Sequence, residues 1–333
     1  MNRRHFLRNS ALGIGATTAL GVVPHRLLGA NPGGDIVRKS SWAMGTQVSF
    51  SIPDEIWRSG VEVGPFKALT RVDRLLSVHQ TDSQLSRLNA SPGVWMDGGP
   101  ELLAVSRAAR EWGELTGGAL DVTVLPLMRA YGFLPGGHRE TLEELRRQVD
   151  FRQLSTRGDR VRIGSSFGVD LGGIAKGFGV DEAAASARET GVDAAIVEAG
   201  GDLYVMGRPS PDRSWSIGIR DPINIRGLAA KLDVENAGVA TSGSYLQRRK
   251  HKGQDIGHIL DPASGLGSDH VASTTIVAPT AMMADALATA ASVLAVAQAI
   301  DLVQSLPGVE GLWILPDRSV RMTNGMAKRV TLL

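Results

Sequence analysis

Asp170-Leu171-Gly172-Gly173-Ile174-Ala175-Lys176-Gly177-Phe178-Gly179-Val180-Asp181 places four glycines and one lysine where an extended run, Arg160 to Val169, gives way to helical spacing over Val180 to Thr190. Glycines at such a turn let the backbone approach a ligand closely, and free N–H groups at a helix start attract phosphate. The stretch is no Walker A loop, because no Ser or Thr follows Lys176, and it does not read G-x-G-x-x-G. A tight turn carrying a solvated lysine is the plainer alternative. A second group is Asp285 and Thr289, four residues apart among small and apolar neighbours, and therefore on one helix face. A carboxylate there needs a partner or a cation, and carboxylate plus hydroxyl and carbonyl oxygens suits Mg²⁺. Pairing with an arginine, and a back-bond from Thr289 to the Asp285 carbonyl, would satisfy the same residues without metal. The third is His258, near the end of a hairpin arm and just before Asp261-Pro262. It can serve as general base, phosphate ligand or structural residue.

These residues need elements to hold them. Thr46 to Ile52 alternates like a strand, while Val63 to Val78 and Pro100 to Thr116 have helical spacing. Shorter helices are expected from Leu127 and over Thr141 to Val149. Tyr245 to Leu260 reads as a hairpin about Lys252-Gly253, its arms crowded by Arg248, Arg249, Lys250 and Lys252, a basic edge that discourages further strand pairing. Thr280 to Val303 predicts a long Ala-rich helix or helix pair. Leu312 to Leu315 and Val320 to Met322, split by Pro316-Asp317, predict a closing hairpin. Helices first and many strands later point to an α+β fold.

Asn2-Arg3-Arg4-His5-Phe6-Leu7-Arg8 precedes a weak apolar run from Ala11 to Val23, too short for a membrane span, and Leu28-Gly29-Ala30 resembles a cleavage site. Residues 1–30 thus read as a twin-arginine export signal, residues 31–40 as a linker and residues 41–333 as one domain in the periplasm. Without residues 1–30, which hold four arginines and no acid, 32 basic residues face 34 acidic ones, a net charge of about −2. That balance and the scarcity of aromatics argue against nucleic acid as a partner. The chain has no cysteine, which excludes disulfides, thiol catalysis and Cys-ligated zinc.

Taken in order, the motifs resemble one family, the ApbE flavin transferases, over about Ser41 to Leu333. The segments are Met44-Gly45-Thr46; Asp73-Arg74-Leu75-Leu76-Ser77 with Asp82 to Asn89; Thr116 to Thr123; Asp170 to Asp181; Ala199-Gly200-Gly201-Asp202; Ala240-Thr241-Ser242-Gly243; His258 to Pro262; and Asp285 to Thr289. The resemblance implies a single domain with helices packed on mixed or antiparallel sheets and FAD in a cleft between lobes. It implies that Met44, Ala119, Leu120 and Asp121 line the adenosine side or the adjoining flavin channel, and that Asp170 and Lys176 contact the nucleotide. Ile259 and Leu260 would flank the flavin, with His79 where the family commonly stacks an aromatic ring. Main-chain oxygens of Gly173 and Ala175, with Asp285 and Thr289, would hold Mg²⁺, and His258 would activate the acceptor hydroxyl. The implied reaction moves FMN from FAD to a threonine in a motif of an exported or membrane redox protein, releasing AMP. Membrane contact would come only through that acceptor. A Mg²⁺-dependent FAD pyrophosphatase and a flavin-binding maturation protein without turnover would keep the same cleft. Replacing Arg3 and Arg4 with lysine is expected to strand the precursor in the cytoplasm on fractionation; normal delivery of the double variant would exclude this export route.

Overall fold

The computed structural model describes residues 22–24, 35–164, 167–245 and 247–333. Its centre is an eight-stranded sheet: β1 (Ile36–Ala43), β2 (Thr46–Pro53), β3 (Ala195–Ala199), β4 (Asp202–Met206), β5 (Ala237–Ser242), β6 (Ser273–Ala278), β7 (Glu310–Ile314) and β8 (Val320–Met322). The strands lie in chain order, each antiparallel to the next. Two tight turns make this possible. Met44 and Gly45 carry φ of 54° and 69° between β1 and β2, and Gly200 and Gly201 carry 61° and 100° between β3 and β4. Val48 opposite Ala199, Ala199 opposite Asp202, and Ser242 opposite Thr274 fix the register. Both turns and the Thr241-Ser242-Gly243 stretch consequently sit at one end of the sheet.

Both faces of this sheet are covered, and the two-residue period of the strands shows it. In β2, Val48, Phe50 and Ile52 face the helices; in β4, Leu203 and Val205 face the opposite way. The opposite face packs on Trp215, Ile217 and Ile219 of a second sheet, ordered Val22–Pro24, Trp215–Arg220, Leu228–Val234, Val330–Leu332. The helical face carries α1 (Val63–Leu76), α3 (Ala175–Glu189), α4 (Ala281–Val293) and α5 (Val296–Ser305), with α2 (Gly99–Leu115) in a further layer. Leu69, Val72 and Leu76 of α1 are buried, and each contributes about 1.5–3 kcal/mol of hydrophobic stabilisation. Among the described residues no helix is long and apolar enough to cross a membrane.

The structure departs from the sequence reading in three places. Helix α3 begins at Ala175, not near Val180, so Lys176, Gly177 and Gly179 lie within the helix. Their small size serves packing: a Cβ on Gly177 would stand 2.3 Å from the Ala281 carbonyl, and one on Gly179 would meet Met44 Sδ at 2.8 Å. Among the described residues, the extended run before the motif forms a strand over Arg160–Arg162 alone, in a small sheet with Met96–Asp97 and Ser155–Arg157. Residues 36–40 belong to the edge strand β1 rather than to a linker, because Ile36 pairs with Pro53. The leader reading of residues 1–30 falls outside the described residues apart from Val22–Pro24. The Ala-rich segment is a helix pair, and all the paired strands described are antiparallel.

Asp181 explains how α3 and α4 are locked. Its carboxylate accepts the Ala281 and Met282 N–H groups at 2.8 and 2.9 Å, capping α4 from the neighbouring helix. Burial raises its pKa to about 6 against the pull of those two hydrogen bonds. Gly177→Ala should lower stability by about 1–3 kcal/mol, because the steric conflict with backbone exceeds any gain in helix propensity. Gly137→Ala, with nothing within 4 Å, should leave the melting temperature nearly unchanged. Calorimetry of the two variants checks this, and equal stability would contradict the close approach.

Candidate active site

Every site residue named from the sequence lines one cleft of about 300 Å³: Met44, His79, Ala119, Leu120, Asp121, Asp170, Gly173, Ala175, Lys176, His258, Ile259, Leu260, Asp285 and Thr289. They arrive from distant stretches. The β1–β2 turn brings Met44, the start of α3 brings Lys176, the second and third turns of α4 bring Asp285 and Thr289, and the hairpin Arg248–His251/Gln254–Gly257 ends at His258. Lys252 and Gly253, with φ of 48° and 84°, turn that hairpin. Asp261 then accepts the N–H groups of Ala263 and Ser264, fixing the bend after Leu260.

The electrostatic centre is Lys176. Its ammonium pairs with Asp202 and lies 3.6 Å from Asp285 Oδ1. Both carboxylates are buried. Asp285 Oδ2 also accepts the Gly177 N–H at 3.0 Å. Burial opposes the charge on Lys176, but the two carboxylates outweigh it and raise its pKa. Burial likewise raises the Asp202 pKa, Asp285 adds repulsion, and Lys176 pulls the other way. Burial raises Asp170 as well, opposed by a hydrogen bond from Gly172 at 3.1 Å. His258 is pushed down to about 4, first by burial and then by the positive charge of Lys176. Its imidazole is therefore neutral at physiological pH. Its Nδ1 is buried without a hydrogen-bond partner.

Part of the expected phosphate cradle of free backbone N–H groups is already spent inside the protein. The Ala175 N–H donates to Leu171, Phe178 to Ile174, Gly177 to Asp285 and Gly172 to Asp170. These four donors are spent within the protein, and the Gly177 bond ties the helix start to the Asp285 carboxylate. Asp121 lines the cleft, but its carboxylate accepts Thr123 N–H and Oγ1 and the Phe151 N–H. It holds two loops together, and burial raises its pKa. His79 is exposed at the cleft's edge, with its N–H donating to Ser77 Oγ at 3.3 Å. Arg248 is no bare cation, because it pairs with Asp255 and Asp269 at 2.6 and 2.8 Å. Sequence reasoning missed Asp202, Phe133 and Tyr245 as lining residues. Asp202 had a signal, an acid directly after Gly200-Gly201 at a strand start. Phe133, whose ring centre is 6.4 Å from that of His258, and Tyr245, whose buried hydroxyl has its pKa raised to about 12 by burial, had none.

The donor set tests whether a cation fits. Among the described residues no group of three or more His, Asp or Glu is placed to hold a metal. What converges is neutral oxygen around one carboxylate. A Cβ on Gly173 would lie 3.0 Å from Thr289 Oγ1, so that backbone and that hydroxyl are adjacent, and Ser242 Oγ is 3.4 Å from the same hydroxyl. Asp285 is on the helix turn before Thr289. Two buried carboxylates against one ammonium leave a net negative charge. An oxygen-only, net negative site with few protein ligands suits Mg²⁺, which completes its shell with water and phosphate. The residues fit.

The ApbE family model matches residues 44–313. An FAD:protein FMN transferase of Treponema pallidum is 33% identical over 296 residues, covering 80% of this chain and 80% of that protein. One from Vibrio cholerae is 34% identical over 238 residues, covering 66% and 71%. Among solved structures, the ApbE protein of Thermotoga maritima superposes with a TM-score of 0.81 at 28% identity, covering 89% of this chain and 99% of that one. The flavin transferase ApbE of Vibrio cholerae gives 0.78 at 27%, with the same coverage. With the family's motifs in one cleft and the fold shared along nearly the whole described chain, this protein belongs to the ApbE family.

Proposed function

We propose that this chain, a flavin transferase of the ApbE family, uses Mg²⁺ and FAD to attach FMN through a phosphoester bond to a threonine of a redox protein facing the periplasm, releasing AMP. The carrying observation is the convergence of the Asp285–Thr289–Gly173 oxygens and a neutral His258 on one cleft. Its similarity to FAD:protein FMN transferases supports FAD as donor and a protein as acceptor. The cation, once bound, would neutralise charge on the pyrophosphate. The protein's own groups do the rest. Asp285 and Thr289 would hold the cation, and Lys176 would offer its charge to the anionic bridge of the nucleotide. Ile259 and Leu260, both buried, offer the flat flavin an apolar wall. Nε2 of His258 takes the threonine proton as its oxygen attacks the flavin-side phosphorus, and the bond to the AMP phosphate breaks. Burial of His258 keeps that nitrogen unprotonated.

Incubating an acceptor domain with FAD and Mg²⁺ should add the mass of one FMN to its threonine. Free FMN and AMP without that mass gain would make the protein a hydrolase instead. Asp285→Asn, or chelator, should abolish transfer, and undiminished activity in either would remove the metal from the mechanism. His258→Ala should slow single-turnover transfer by about 10²–10⁴-fold with a much smaller change in FAD affinity. Equal losses in both would make His258 a binding residue.

The pH dependence follows from the depressed histidine. The folded protein holds this imidazole neutral down to about pH 4, whereas an unfolded chain protonates it near the ordinary 6.5. Transfer should therefore lose no rate through His258 between pH 8 and pH 5, and should fall as the pH approaches 4. Between about pH 6.5 and pH 4 the unfolded state binds the extra proton, so stability falls with falling pH by up to about 1.4 kcal/mol per unit. A rate that halves near pH 6.5, together with a ring titration there by NMR, would show that His258 is solvated and not shielded.

A further inference from the structure

The Lys176 cluster contains a carboxylate to which neither the family resemblance nor the proposed chemistry gives a task. Asp202 opens β4 at 3% exposure, and its carboxylate pairs with the Lys176 ammonium. The Gly200-Gly201 turn before it, at positive φ, is what swings the strand start toward α3. The same ammonium stands 3.6 Å from Asp285 Oδ1. A divalent cation on Asp285 and the ammonium of Lys176 are thus rivals for one carboxylate, because like charges repel strongly when water cannot screen them. Asp202 gives the lysine a second and closer partner.

We propose that Asp202 is a positioning residue that holds Lys176 off Asp285, keeping that carboxylate open to the divalent cation and the lysine ready for the anionic substrate. The inference rests on Asp285 being a cation ligand. Without the charge of Asp202, Asp285 is the remaining ion-pair partner of Lys176 among the described residues. Cation affinity then drops by the fraction of time that Asp285 stays free. A lysine that covers it for about nine-tenths of the time weakens binding about tenfold. The sequence offers no sign of this, since Lys176, Asp202 and Asp285 are 26 and 83 residues apart along the chain.

Mg²⁺ binding to the full chain, without FAD or acceptor, tests the idea by titration calorimetry and by the Mg²⁺-induced shift in melting temperature. Neither readout needs turnover. Asp202→Asn should bind Mg²⁺ about tenfold more weakly than wild type. Lys176→Met should bind it at least as tightly as wild type, since the competitor is gone. The double variant D202N/K176M removes holder and competitor together, leaves no unpaired lysine, and should return to within about threefold of wild type. A double variant as weak as Asp202→Asn would mean that Asp202 ligates the cation directly, and would overturn the positioning role. Unchanged affinity in Asp202→Asn, or weaker binding in Lys176→Met, would overturn it as well. Should Asp202→Asn fail to fold, Asp202→Ser takes its place in the same comparison and should bind Mg²⁺ about tenfold more weakly than wild type, and unchanged affinity there would overturn the positioning role. Absence of Mg²⁺ binding by wild type removes the inference together with the Mg²⁺ assignment, whereas Mg²⁺ binding without transfer to an acceptor counts only against the proposed function.

Discussion

The close contact between the starts of α3 and α4 is the constraint on which the rest of the site depends. Gly177 has no side chain, so the Ala281 backbone can lie where a Cβ would be 2.3 Å from its carbonyl oxygen. Gly238 of β5 makes the same allowance from the sheet, with a Cβ position 2.3 Å from the Ala281 N. With both glycines in place, α4 is wedged between a helix and the sheet. Asp181 then caps α4 across the gap, and Asp285 accepts the Gly177 N–H in return. Each helix thereby satisfies backbone donors of the other that would otherwise be buried and unpaired. The geometry that places Asp285 in the cleft is the geometry that holds the two helices together.

The site built on that contact is electrostatically tense. Two buried carboxylates share one ammonium, and burying such groups costs several kcal/mol per ion unless partners and hydrogen bonds compensate. A core made only for stability would place apolar residues there, as the Ala-rich surroundings of Asp285 on α4 do. Under the proposed function, the residual negative charge would favour a cation beside the anionic nucleotide. The neutral His258 belongs to the same logic. The charge of Lys176 reinforces burial in keeping it unprotonated, so one lysine conditions both the acidic and the basic side of the cleft.

The antiparallel sheet does the long-range work. Because its strands follow chain order, every second connection returns to the same end. Met44-Gly45, Gly200-Gly201-Asp202 and Thr241-Ser242-Gly243 are gathered there by topology, not by local attraction. Burial on both faces leaves that end as the place where polar side chains can cluster around a ligand, with the second sheet stiffening the far face.

The sequence by itself determined the elements with a strong period: the strand at Thr46, the helices over Val63 and Pro100, the hairpin about Lys252-Gly253 and the closing hairpin after Pro316. Order and type of motif also singled out residues that line the cleft. Local spacing did not determine what those residues touch. The glycines after Lys176 read as a phosphate turn, yet they lie inside a helix and serve its approach to α4, a contact between residues about a hundred positions apart. Asp121 read as a ligand contact, yet its oxygens are taken by Thr123 and Phe151. Asp202 carried no assigned role until folding set it beside Lys176. Hydrophobic period and turn chemistry act over a few residues and are written locally. Hydrogen-bond partners, burial and charge depend on which distant segments are brought within a few ångströms, and only the tertiary structure decided that.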